Sequence, residues 1–183
     1  MLLQYSKAMN KLHLHIANAN QTFTDAEIAI FKNTAQQAET FVSSEFAQFD
    51  YEVDVIITTP SFMLPTIAED GIAGKTLHSR LIMISVDKSQ HGVSEDFIFE
   101  TICHEMSHSL RWEKLPEYAE TMFDGMISEG LAVALEEEAM IKLGRRNQQF
   151  FLREIQKTTS QAEIDKIIAA LQDNFEDKVY DYT

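Results

Sequence analysis

Residues 101–112 read TICHEMSHSLRW and place two imidazoles, His104 and His108, four positions apart, with the carboxylate of Glu105 directly after the first. On a helix, positions i and i+4 are neighbours with Cβ atoms about 5–6 Å apart, so both rings can direct a nitrogen at one ion at about 2.0–2.1 Å. Glu105 projects roughly 100° further round the axis. From there it reaches a water beside the ion more readily than the ion itself. Two metal ligands and one general base on a single turn are what the pattern H-E-x-x-H provides. Two histidines on a helix can also be a surface pair, or core rings satisfied by carbonyls, so the helix and a third ligand have to be argued separately.

The helix rests on other residues. Ile98, Ile102 and Met106 form one apolar stripe, with Phe99, Cys103 and Leu110 beside it, and Ser94 stands at the capping position. A catalytic zinc site takes three protein ligands and leaves one position open. In DGMISEGLAVALEEE (124–138), Glu129 lies 21 residues beyond His108, among Ser128, Gly130 and Ala132, with apolar Met126 and Val133 at helical spacing. A carboxylate on an apolar helix face is costly unless it is paired or bound to metal. Glycine inside a helix costs about 1 kcal/mol relative to alanine, and close approach of a second helix would account for Gly130; Gly125 reads the same way. Glu136, Glu137 and Glu138 read as a solvated face.

Ligand imidazoles usually donate their other N–H to a carboxylate or carbonyl, and Asp124 and Glu100 are candidates for that part. The oxyanion donor is open among Arg111, Tyr118, Tyr180 and Tyr182. Arg111 reads equally well as a surface ion-pair partner. Ser109, one turn beyond Glu105, reads as a hydroxyl without a catalytic part, Cys103 as a buried structural thiol, and Trp112 as core or cleft wall.

The elements that must position these residues follow from periodicity. KLHLHI (11–16) alternates Leu12, Leu14 and Ile16 against His13 and His15, a strand with its histidines on a polar face. Thr24 and Glu27 form a capping box, with Phe23 and Ile28 at the staple positions, and open a helix expected over 25–48. Ile28, Phe31, Ala35, Ala38, Val42 and Phe46 are its apolar face. YEVDVIITT (51–59) is a β-branched strand, and GIAGKTLHSRLIMISVD (71–87) is one long bent strand or a hairpin in which Gly71 and Gly74 permit a bulge or a close backbone approach. Helices follow over 119–143, stopped by Gly144, and from the Ser160–Glu163 capping box, with Ile164, Ile167, Ile168 and Leu171 as the apolar positions. The order is an α+β pattern: 11–94 mainly sheet plus one long helix, 95–183 helical, within a single domain over 1–183.

Composition sets the outer bounds. An apolar fraction of 45% allows a sizeable core, and 29 acidic against 15 basic residues give a net charge of −14. Binding to phosphate backbones or anionic membranes needs Lys/Arg clusters, so neither nucleic acid nor membrane is the expected partner. The single cysteine excludes an internal disulfide. The N-terminus lacks an apolar run behind a basic start, and no apolar stretch approaches the roughly 20 residues needed to span a bilayer, so a cytoplasmic protein is expected.

HEMSH followed some twenty residues later by ISEGLA resembles the gluzincin arrangement of H-E-x-x-H and a downstream glutamate. More narrowly, the stretch from about residue 50 to 140 resembles a bacterial family of predicted zinc-dependent proteases, a domain of unknown function, in which a G-x-x-G-x-T-like segment precedes the metal helix. The resemblance implies a zincin-like fold, with a small mixed sheet packed on an active-site helix and a following helical half. It implies one zinc ion on His104, His108 and Glu129, Glu105 as base, and an edge strand within 72–86 along the cleft. A peptide or protein substrate would lie there in extended conformation, by β-augmentation. Compared members run on into a Gly-Tyr-containing C-terminal helix, whereas this chain stops at KVYDYT. The expected activity is zinc-dependent peptide-bond hydrolysis. The alternatives are a non-catalytic metal- or peptide-binding domain derived from such a protease, and a plain α+β interaction module without metal.

Overall fold

The computed structural model describes residues 11–60, 71–115, 121–146 and 160–172. Nine elements run along them: β1 (Leu12–Ile16), α1 (Asp25–Glu45), β2 (Val53–Thr58), β3 (Ile72–His78), β4 (Leu81–Val86), α2 (Lys88–His91), α3 (Glu95–Trp112), α4 (Met122–Lys142) and α5 (Gln161–Gln172). The strands form one mixed sheet in the order β1-β2-β4-β3. β2 runs parallel to both β1 and β4, while β3 folds back antiparallel to β4, so the 71–87 stretch is a hairpin. The fold is α+β, a four-stranded mixed sheet packed against helices.

The local signals act where the residues stand. Thr24 accepts from the Glu27 amide and Glu27 Oε2 accepts from the Thr24 amide at 2.7 Å, so the capping box closes as expected. α1 ends at Glu45, three residues short of the expected 48, because Phe46 turns to an extended backbone. The predicted strand polarity of β1 holds: His13 faces Glu52 at 3.3 Å and His15 faces Asp54 at 2.6 Å, away from the core. Glycine at 71 has φ +80 and at 144 has φ +68, the left-handed backbone that ends β3's approach and α4 respectively. The hairpin's bulge is not at its glycines. The register slips between Thr76 and His78, and Gly74 stays in the ladder opposite Ile84. The four-residue α2, capped by Asp87, was not expected from periodicity. α4 begins at Met122 behind a capping box of Thr121 and Asp124. The Ser160–Glu163 box opens α5; Ile168 is exposed, and the side chains of Ile164, Ile167 and Leu171 lie outside the described residues.

One face of the sheet is the core. Val53, Val55, Ile57, Ile82 and Ile84 are fully buried and meet Phe31, Ala38 and Val42 of α1 and Ile98, Phe99, Ile102 and Met106 of α3 in a single cluster. α3 packs on β3 and β4 on one side, on α1 on another, and on α4 on a third. A helix enclosed on three sides has to bury polar residues too, and Glu105, Ser107, His108 and Ser109 are buried there. Arg145, just past α4, ties back to Glu95 at 2.8 Å and to Asp96, locking the far ends of α3 and α4 together. Among the described residues no helix is long and apolar enough to cross a membrane.

Candidate active site

His104 and His108 leave α3 on the face that meets α4, one turn apart, with ring centroids 5.1 Å from each other. Opposite them α4 presents Glu129. His104 Nε2 lies 3.3 Å from His108 Nε2 and 3.2 Å from Glu129 Oε2, and His108 Nε2 lies 3.6 Å from Glu129 Oε1. In a tetrahedral zinc site with bonds of about 2.0–2.1 Å, ligand atoms stand about 3.3–3.4 Å apart. The separation of the two nitrogens and that of His104 Nε2 from Glu129 Oε2 fall close to that edge length, the other carboxylate oxygen lies on the His108 side, and two imidazoles with a carboxylate are a donor set zinc takes. These residues are brought together as one group that can hold a metal ion.

The outer nitrogens of both rings are engaged, which leaves the inner ones to the ion. His104 Nδ1 lies 2.8 Å from Glu136 Oε2, and His108 Nδ1 lies 3.1 Å from Ser128 Oγ. The Glu136 carboxylate accepts from Nδ1, so His104 keeps that proton and turns its Nε2 lone pair to the site once Nε2 is deprotonated; the Ser128 hydroxyl can play the same part for His108. Burial alone would lower His104, but its bonds to Glu129 and Glu136 outweigh this and hold it pushed up to about 10. Glu129 is held below the usual carboxylate range, chiefly by the bond to His104.

Glu105 points away from α4, as its place on the helix requires, and lies under β3. It is 6% exposed, and burial pushes its carboxyl above the usual range against the opposing pull of His104 and of the Thr76 hydroxyl. The Thr76 hydroxyl stands 2.8 Å from Glu105 Oε2 and 2.9 Å from the Glu105 carbonyl. Gly74, Thr76, His104, Glu105, His108 and Glu129 border a single cleft of about 330 Å³, walled at one end by Trp112, whose ring lies against His78 at 5.7 Å.

The chain matches the model of a family described as predicted Zn-dependent protease (DUF2268), over residues 31–182. It belongs to that family. No curated protein and no solved structure matches the chain. The family match extends beyond the 50–140 stretch that carries the resemblance in the sequence and takes in most of α1.

Several expectations for this family member need correction. Gly130 has no helix against it: a Cβ there would meet nothing within 4 Å, so close approach does not explain the glycine. Glu136 and Glu137 are not a solvated face; Glu136 holds His104 and Glu137 is buried, leaving Glu138 exposed beside Lys142. The parts offered to Asp124 and Glu100 fall to Glu136 and Ser128. Asp124 caps α4 through Thr121, and Glu100 pairs with Arg146 at 2.6 Å. Arg111 lines a neighbouring groove with Phe46, Leu110, Leu131 and Leu135, and its charge acts on Glu129. Tyr118, Tyr180 and Tyr182 lie outside the described residues. Ser109 is buried between the Ser79 carbonyl and the Tyr51 hydroxyl, at 2.5 and 3.2 Å, and Cys103 is buried with its thiol pushed upward by burial, so both are structural. Glu136 was hidden by its acidic neighbours. A residue seven positions beyond Glu129 shares its helix face, and that spacing is the signal that singles it out.

Proposed function

We propose that this chain is a zincin-like, single-zinc metallopeptidase in which His104, His108 and Glu129 hold the ion and Glu105 is the general base. The observation that carries the reading is the convergence of the two inner imidazole nitrogens, 3.3 Å apart, with the Glu129 carboxylate, whose two oxygens lie 3.2 and 3.6 Å from them, while both outer imidazole nitrogens are already bonded. At these residues a zinc ion would supply a Lewis acid for a peptide carbonyl and would lower the pKa of a water toward about 7. Glu105 takes a proton from the attacking water and hands it to the leaving amine. Its carboxyl, raised by burial, is better matched to shuttling a proton near neutrality than an exposed one.

A buried carboxylate weakens a fold unless something requires it. Among the described residues Glu105 holds no ion pair with lysine or arginine, and it faces the cleft, which favours turnover over a metal-holding domain without activity. β3 is the last strand of the sheet and borders the cleft with Gly74, Lys75 and Thr76. An extended peptide or protein segment pairing with its outer edge would bring a scissile carbonyl to the donors. Trp112 then forms the wall a substrate side chain meets.

The test is metal content and turnover together. Protein purified without added zinc should carry one ion per chain and cleave an unstructured polypeptide. Glu105→Gln should keep the ion and lose cleavage. Full activity in that variant would remove Glu105 from the reaction.

A further inference from the structure

We infer that the edge strand β3 aims the base: Thr76 and Gly74 are positioning residues for Glu105. The inference rests on Glu105 acting as the base.

One face of α3 is stitched to the hairpin at successive turns. The Thr76 hydroxyl reaches Glu105, the Ser79 carbonyl accepts from Ser109, and Arg80 pairs with Glu113 at 2.7 Å. Positions 105, 109 and 113 lie on one line along a helix. Ser109 is further held by Tyr51 from β2's approach. These ties fix the register of β3 along α3, so the strand cannot slide without carrying Thr76 away from Glu105.

Gly74 adds a steric limit. A Cβ at this position would stand 2.5 Å from Glu105 Oε1, 2.7 Å from its Cγ and 2.8 Å from Thr101 Cγ2. Its backbone is ordinary ladder strand, so the glycine is required for room and not for an unusual dihedral. The carboxylate therefore occupies a slot with a bare backbone on one side and a hydroxyl bond at Oε2. A hydroxyl has one proton and two acceptors here. It donates to Oε2 while the carboxylate is charged. Once Glu105 has taken the water's proton, the same hydroxyl can accept from it and donate to the Glu105 carbonyl at 2.9 Å. The carboxyl is thus held before and after proton transfer.

The hydrogen bonds of the Thr76 hydroxyl go to Glu105 and not to His104, His108 or Glu129, and this separates its effect from loss of zinc. Thr76→Val is nearly the same volume and removes the hydroxyl. Loss of one hydrogen bond to a charged group predicts kcat lower by about 10- to 100-fold. KM should change by less than about threefold and zinc content should be unchanged. Thr76→Ser keeps the hydroxyl and should restore most of kcat. Gly74→Ala should lower kcat at least as far, by pushing the carboxylate out of its slot. If Thr76→Val does not fold, Thr76→Ala removes the same group. Unchanged kcat in the hydroxyl-free variant, or Thr76→Ser as slow as Thr76→Val, overturns the inference.

Crystal structures of the zinc-loaded variants read the same claim without activity. The Glu105 carboxylate should leave its wild-type position in Thr76→Val and Gly74→Ala and keep it in Thr76→Ser. A wild-type protein without peptidase activity would defeat the proposed function and leave this structural readout standing. A carboxylate unmoved in all three variants would defeat the positioning role and leave the proposed function untouched.

Discussion

Glu136 offers the sharpest test of how the proposed site is built, because it bonds the outer nitrogen of His104 and not the one that faces Glu129. Its Oε2 lies 2.8 Å from His104 Nδ1, within a part-buried contact between α3 and α4. The carboxylate makes the imidazole more basic and holds the ring so that Nε2 faces His108 and Glu129. Loss of such a partner typically weakens metal binding by about 10- to 100-fold, which is about 1.4–2.7 kcal/mol. Glu136→Gln keeps an acceptor but drops the charge, so we expect the lower end, a zinc Kd about tenfold weaker. Glu136→Ala removes the acceptor and should approach the upper end. Glu138→Gln, on the exposed side of the same helix beside Lys142, should leave zinc affinity unchanged. Competition against a chromophoric chelator at fixed pH measures all three. A Glu136→Ala protein binding zinc as tightly as wild type would show that the 2.8 Å contact does not orient His104, and the argument from occupied outer nitrogens would fail with it.

Four further outcomes follow. Glu105→Gln should retain one zinc per chain and lose about 10²–10⁴ in kcat, the usual worth of a general base; steady-state cleavage with metal analysis checks it. His104, pushed up to about 10 in the metal-free protein, is protonated at neutral pH, so zinc binding at pH 7–8 should release close to one proton from it. Calorimetry in buffers of different ionisation heat counts that proton, and zero release would contradict the Glu129–His104–Glu136 arrangement. Because the folded-state value is raised above the ordinary 6.5, the stabilisation it brings to the metal-free protein is fully present below about pH 6.5 and is lost as pH rises through about 10. The urea midpoint of chelator-treated protein should therefore fall over that range. Ile102→Ala removes a fully buried side chain from the inner face of α3 and should cost about 2–5 kcal/mol in denaturant unfolding, with no direct effect on the donor atoms.

What could be read in the sequence was local in character. The capping boxes at Thr24, Ser160 and Thr121 depend on residues three apart, and the first two were legible as written. The His104–His108 pair depends on one helical turn. The small and apolar neighbours of Glu129 single it out in the sequence, although Gly130, which on spacing alone suggests close helix packing, faces open space. The face of Glu129 is set instead by the pairing of α4 with α3, which no local pattern encodes. Glu136 was lost for the same reason. Beside Glu137 and Glu138 it looks like one of three solvated acids, and only the approach of α3 distinguishes it. Thr76 lay inside a segment already singled out for its glycines. Its partner is 29 residues away, on an element whose register against the strand is set by the Ser79 carbonyl and the Arg80 side chain. The sheet order, with β2 between β1 and β4 and β3 at the edge, likewise reflects non-local pairing that strand periodicity does not specify.

A crystal of the protein grown without added metal, with data collected on both sides of the zinc absorption edge, tests the central claim most directly. One anomalous peak is expected between α3 and α4, about 2.0–2.2 Å from His104 Nε2, His108 Nε2 and a carboxylate oxygen of Glu129. A peak elsewhere, or a zinc bound by the two histidines with Glu129 turned away from it, would contradict it.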